Sequence, residues 1–223
     1  MRVIDPSFEI LNAPDAKAML RHIELAARTC YKSEEKINEG SAADLIKRLI
    51  KMGHHSVLEH SSLSVRFICD RGVSHELVRH RLCSFSQEST RYCNYAGEKF
   101  GKEITFVRPV FWKKGSLMYK TWEGAMKEAE KAYLYLLNNG ASPQEARSVL
   151  PNSLKTDIVV TANIRQWRLV FNQRCASAAH PQMRQSMLPV LDAFSKLFPV
   201  FFEDIYSDFQ SDIDKFTGMS SES

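Results

Sequence analysis

Strand-forming runs are scarce in this chain, and helices do not alternate with them. "SLSVRFICD" (Ser62–Asp70) places Leu63, Val65, Phe67 and Cys69 on one side, the period of a half-buried strand. "EITFVRPVF" (Glu103–Phe111) and the β-branched "LKTDIVVTAN" (Leu154–Asn163) are the other two such runs. Helical spacing dominates elsewhere. A few strands, several long helices and no regular βα alternation predict an α+β fold, with long helices packed on a small mixed or antiparallel sheet.

The helix signals are explicit. "DAKAMLRHIELAARTC" (Asp15–Cys30) opens on an acid, and "SAADLIKRLIKMG" reads Ser41 as N-cap and Gly53 as the residue past the C-cap. Ser74 opens a helix through "HELVRHRL" to Leu82. The longest stretch, "GSLMYKTWEGAMKEAEKAYLYLLNNG", closes at Asn139 and Gly140. "SPQEA" has Ser142 as N-cap, Pro143 at N1 and Glu145 at N3, and Pro151 keeps that helix short. "IRQWRLVFNQRC" and Met183–Leu197 complete the set. The chain has no internal repeat or low-complexity linker, so residues 1–216 read as one domain, with "TGMSSES" (217–223) as a frayed tail.

A net charge of +4 and a pI near 8.8 suit an anionic ligand but fall short of the dense positive stripe that duplex binding needs. The five cysteines are scattered and form no CxxC pair, which predicts reduced thiols in a cytoplasmic protein and no zinc knuckle. The N-terminus has no apolar signal region, and no window reaches membrane-spanning length, so no membrane partner is expected. Neither a Walker A loop nor G-x-G-x-x-G occurs. Any nucleotide is therefore held by side chains.

"RHRLCSFSQESTRYC" (Arg79–Cys93) carries Arg79, His80, Arg81 and Arg91 among four hydroxyls, with Glu88 the single carboxylate. In a helix through Leu82, Glu76 and His80 share a face. After Leu82 the apolar periodicity stops, as in a loop that wraps a ligand. Ser89, Thr90 and Arg91 together supply hydroxyls, backbone N–H groups and a bidentate guanidinium, a small phosphate cradle. A solvated surface loop with incidental arginines is the alternative. Ser89 as a nucleophile would need an adjacent oriented base, and no G-x-S-x-G elbow provides one, so a phosphate donor is the better reading.

"GHHSVLEH" (Gly53–His60) brings together His54, His55, Glu59 and His60, but with neither H-E-x-x-H nor H-x-x-E-H spacing. A turn lining a binding cleft is favoured over a metal site. Arg165 and Arg168 fit the wet face of a helix, and Arg174 sits at its C-terminal end, where a cation serves the dipole. Trp112, Trp122 and Trp167 fall at core spacing.

The motifs as a set resemble the flavin-dependent thymidylate synthases. "RHRLCSFSQESTRY" is similar to that family's R-H-R signature with its following Ser and Arg, and "GHHSVLEH" to its G-H-x-[ST]-x-x-E-H segment. "EARSVLP", "TANIRQWRLVFNQR" and "HPQMR" resemble the A-R-x-x-L-P, N-x-R and H-A-Q-x-E-I blocks. The ordered series runs from His54 to Arg184.

This resemblance implies a homotetramer with active sites at subunit contacts, binding FAD and using NADPH and 5,10-methylenetetrahydrofolate to methylate dUMP at C5. By matching positions, Arg79, Ser89, Thr90, Arg91 and Arg147 hold dUMP, with Glu76, Gln87 and Glu88 nearby and Arg174 at the uracil ring as the catalytic residue. His54, Ser56, Arg79, His80, Arg81, Gln87, Asn163 and Arg165 meet the flavin. No metal and no catalytic cysteine are implied. The chain departs from the family at three places. Leu169 stands where His or Asn is frequent, Glu76 where some members have Gln, and the Arg174–Gln182 segment is two residues longer, which leaves His180 without an assigned role. The residues alone also admit a non-enzymatic RNA- or nucleotide-binding module stacking bases on Phe85, Tyr92 and Tyr95. A hydrolase with a metal on His54, His55, Glu59 and His60 is the third class.

Overall fold

A computed structural model describes residues 1–220, with side chains through Phe216. The strands are β1 (Arg2–Ile4), β2 (Ser7–Asn12), β3 (Ser62–Asp70), β4 (Ser84–Gln87), β5 (Thr105–Val107) and β6 (Lys155–Asn163). The helices are α1 (Ala16–Thr29), α2 (Ser41–Lys51), α3 (Arg71–Leu77), α4 (Leu117–Asn138), α5 (Pro143–Ala146), α6 (Ile164–Arg174), α7 (Pro181–Leu197) and α8 (Pro199–Ser220). Helices predominate over a small sheet, the expected α+β class. The larger sheet runs β2-β3-β6-β4, and β1 pairs in parallel with β5 in the register Arg2↔Thr105 to Ile4↔Val107. Among the described residues no helix is long and apolar enough to cross a membrane.

Several sequence signals act as expected. Asp15 caps α1 by accepting from the N–H groups of Lys17 and Ala18. At α5 the Glu145 carboxylate accepts from the Ser142 N–H at 2.8 Å and from its hydroxyl at 2.6 Å. Gly53 (φ 75°) and Gly140 (φ 92°) take the left-handed conformation past the ends of α2 and α4, one a Cβ would strain.

Other boundaries differ. Gly40, not Ser41, is the N-cap of α2. The run Glu103–Phe111 yields a strand of only three residues, β5. α3 starts at Arg71 because the Asp70 carboxylate accepts from the Val73 N–H at 2.8 Å, and it ends at Leu77 rather than Leu82. The Val78 N–H folds back to Ser74 and Glu76 carbonyls, which tightens and stops the helix. Glu76 and His80 are therefore not a helical pair. Ser84–Gln87 is a strand rather than the start of a wrapping loop. α8 carries the chain through Ser220, and the remainder of the tail (221–223) lies outside the described residues.

The contacts gather into two compact units. The first comprises 1–8, 66–79 and 85–159. Its core sets Tyr95, Ile104, Phe106, Tyr119, Trp122, Met126, Tyr133, Ala146 and Leu154 together, with Trp112 half-buried against it. The Trp122 indole N–H donates to the Ser153 hydroxyl at 3.0 Å, so the ring buries without an orphaned donor. The second unit comprises 9–65, 80–84 and 160–223. Its core is aromatic: Trp167 stacks on Phe171 at 5.7 Å and meets Phe194 edge-on at 5.4 Å, while Phe202 packs against both phenylalanines. The Trp167 N–H donates to the Leu63 carbonyl at 3.0 Å.

Candidate active-site residues

In the first unit, the β4 ladder extends one bond beyond the strand, where the Glu88 N–H donates to the Asp157 carbonyl at 2.8 Å. Ser89, Thr90 and Arg91 follow at once as a turn. Its N–H groups at Tyr92 and Cys93 both return to the Ser89 carbonyl, at 3.2 and 2.9 Å. The Ser89 Oγ accepts from the Arg91 N–H at 3.3 Å, a bond that uses a lone pair and leaves the hydroxyl hydrogen to donate. Arg147, just past α5, brings Nη1 to 3.5 Å from the Thr90 Oγ1. Thr90 is buried while Arg91 and Arg147 are exposed. The turn thus carries the Arg91 guanidinium and the Ser89 hydroxyl, with the Arg147 guanidinium beside it and the Thr90 hydroxyl buried. A bare turn of this composition attracts a multi-oxygen anion.

Gln87 is fixed differently. Its amide nitrogen donates to the hydroxyls of Ser74 (2.8 Å) and Thr156 (3.1 Å), tying β4 to α3 and β6. Glu88, the lone acid of the signature, is clamped on both oxygens: the Tyr95 hydroxyl donates at 2.8 Å and the Lys155 Nζ at 2.7 Å. Lys155 also reaches Asp157 at 3.3 Å, and Arg66 grips Asp157 with two bonds of 2.7 and 2.9 Å. Hydrogen bonds from Arg66 come first among the causes that hold the Asp157 carboxyl below the usual range. Burial works against the Lys155 ammonium, but Glu88 and Asp157 more than offset it and its pKa is raised. Sequence singles out none of Lys155, Asp157 and Arg66, and Tyr95 only as a ring for stacking a base. The signal available was the isolated acid itself, which had to find a cation. Tyr95 is buried at 5% exposure and hydrogen-bonded, so it offers no ring face for stacking a base. Tyr92 is exposed, and the Arg91 guanidinium lies over its ring at 5.4 Å.

In the second unit, α6 positions three expected residues. Asn163 is its N-cap and accepts from the Gln166 N–H at 2.8 Å; Arg165, half-exposed in the first turn, pairs with Glu59 at 2.6 Å. His54 and Ser56 are exposed at the start of the 3-10 turn His55–His60. His54 also lines a groove of about 390 Å3 with Arg28, Arg48, Tyr31 and Met52. Arg168 is not on a wet face. It is buried, bonded to the Phe201 carbonyl and to both carboxylate oxygens of Asp204 at 2.8 and 2.6 Å.

At the other end of α6, the Arg174 Nε donates to the His80 Nε2 at 2.8 Å. His80 is 6% exposed, and burial, followed by the Arg174 charge, lowers its pKa to about 4. It is therefore neutral at pH 7. Because Nε2 accepts, the ring proton resides on Nδ1. Arg174 is thus oriented by a fixed imidazole as well as standing at a helix C-terminus. His180, to which sequence gave no role, is the N-cap of α7 and accepts from the Gln182 N–H on Nδ1 at 3.3 Å. Arg81 and Leu169 are exposed. Among the described residues no three His, Cys, Asp or Glu side chains are placed to hold a metal ion.

Arg165 and the Asn163-capped end of α6 offer a cation and a helix N-terminus, the kind of donors that the pyrophosphate of a flavin dinucleotide would need.

Residues 15–200 match the family described as Thymidylate synthase complementing protein. Among curated relatives, the flavin-dependent thymidylate synthase of Geobacter sulfurreducens is 32% identical over 86% of this chain and 83% of its own. That of Pyrococcus abyssi is 36% identical over 74% of this chain and 67% of its own, and that of Mycobacterium tuberculosis 32% over 82% and 78%. A match of that extent places this protein in the flavin-dependent thymidylate synthase family.

Proposed function

We propose that the protein converts dUMP to dTMP, taking the methylene of 5,10-methylenetetrahydrofolate with FAD as cofactor and NADPH as reductant, in the cytoplasm and as a homotetramer. Residues 1–216 serve as one catalytic domain in this reading. The observation that carries it is the Ser89–Thr90–Arg91 turn with the Arg147 guanidinium at its side. A nucleoside monophosphate brings a phosphate dianion that such a turn neutralises. Arg79, Glu76 and Gln87 lie in the same unit and take the nucleotide's remaining edges. Arg174 is assigned to the uracil ring, where a guanidinium stabilises negative charge as C5 becomes nucleophilic. The imidazole of His80 holds that guanidinium by its Nε–H. FAD falls to His54, Ser56, His80, Arg81, Asn163 and Arg165, joined by Arg79 and Gln87, and when bound it supplies the hydride that completes the methyl group.

Ser89 separates phosphate binding from nucleophilic catalysis. Ser89→Ala is expected to weaken dUMP binding about tenfold, the loss of one hydrogen bond to a charged group, while dTMP formation at saturating dUMP stays measurable. Titration calorimetry paired with product analysis checks this. Abolished chemistry with intact dUMP affinity would instead make Ser89 the nucleophile.

A further inference from the structure

Glu88 and Tyr95 stand at the two ends of the segment that carries Ser89, Thr90 and Arg91, and their side chains are joined at 2.8 Å. The opposite Glu88 oxygen is held by Lys155 on β6, whose own position is fixed by Asp157 and, through it, by Arg66 on β3. Tyr95 is anchored in turn, its ring packed at 5.1 Å from Phe100 and 5.8 Å from Tyr133. Both Glu88 oxygens are therefore engaged within the protein. Side-chain exposures of 11% for Glu88 and 21% for Lys155 mean that loss of either partner strands a charge in a mostly dry place.

We infer that Lys155 and Tyr95 are positioning residues, clamping Glu88 so that the Ser89–Arg91 turn is set in its anion-binding shape before any nucleotide arrives. Lys155 and Tyr95 act through Glu88 rather than on the ligand. The clamp converts an exposed turn, which would otherwise pay ordering entropy on binding, into a preformed one. This inference rests on the nucleotide reading above only for the identity of the anion.

The test uses the full-length flavin-loaded protein and three variants: Lys155→Met, Tyr95→Phe, and the double Glu88→Leu/Lys155→Met. Two quantities are read, hydrogen–deuterium exchange of residues 88–95 without nucleotide, and KM and kcat for dUMP. Lys155→Met is expected to speed exchange in that segment and to raise KM about tenfold, with kcat at saturating dUMP within about twofold. Tyr95→Phe, which removes one hydroxyl and little packing, changes both in the same direction by less. The double variant has no clamp left to lose and is expected to match Lys155→Met in both quantities to within about threefold, because Lys155 acts through Glu88. Unchanged exchange in both single variants overturns the inference, as does faster exchange with unchanged KM. A double variant that recovers the parent's KM also overturns it, since the turn would then keep its shape without the clamp and the loss in Lys155→Met would be that of a stranded charge. Should the parent protein bind no dUMP, the substrate assignment fails, and the exchange measurement alone decides whether the clamp holds the turn.

Discussion

Replacing Arg174 by alanine is expected to lower turnover by about 10²–10³-fold, the usual cost of removing a group aimed at charge that develops in the transition state. Flavin content is expected to stay near that of the parent. The reason lies in the placement: Arg174 is the last residue of α6, and its Nε is held by a neutral, buried His80. The Nε–H···Nε2 bond orients the guanidinium, and the low His80 pKa of about 4 keeps the acceptor from becoming a competing cation. Lysine cannot reproduce both the bond to His80 and a second directed donor, so Arg174→Lys is expected to fall near alanine rather than near the parent. Turnover and flavin absorbance measured on the same samples check this. Parallel loss of both would identify Arg174 as a structural residue.

The largest stability effect is expected at Trp167. It is fully buried, donates to the Leu63 carbonyl, stacks on Phe171 and meets Phe194. Trp167→Ala removes that volume and leaves a buried carbonyl without its donor, for a cost of about 3–5 kcal/mol. For a chain of this size that corresponds to a melting temperature lower by roughly 10 °C or more. Trp167→Phe keeps most of the packing and loses the donor, so its drop is smaller. Differential scanning calorimetry of the two variants orders them, and a loss under 1 kcal/mol for the alanine variant would contradict the packing described.

The elements legible in sequence are those whose signals are local. β3 matches its alternating run residue for residue, β6 starts one residue later than expected, and α1 and α5 start where their caps lie. What sequence missed depends on distant partners. β1 is three residues whose only warrant is pairing with β5, about a hundred positions away. α8, read from no local signal, packs its phenylalanines into the aromatic core around Trp167. Arg168 carries helix-surface spacing and yet is buried, because Asp204 on α8 supplies a carboxylate to pair it. α3 stops five residues early, which frees Arg79, His80 and Arg81 from a helical face.

The candidate site divides the same way. Ser89, Thr90 and Arg91 stand out in sequence as a candidate cradle because the three are adjacent in a polar stretch, and the structure shows that they form a turn. The partners that shape this turn do not stand out. Glu88 stands out as the one acid among cations, but only the pairing of β4 with β6 shows that Lys155 meets it, and only the fold of the turn after Ser89 shows that Tyr95 returns to it. His80 was read as a helix-face partner of Glu76 or a flavin contact, whereas the structure adds its bond to Arg174.

The most direct test of the function is an absorption spectrum of the purified protein from about 350 to 500 nm, with added FAD and then with dUMP. The account predicts bound-flavin bands that shift when dUMP is added, because both ligands serve one reaction. A protein that stays colourless after FAD is supplied, or whose flavin bands ignore saturating dUMP, would contradict it.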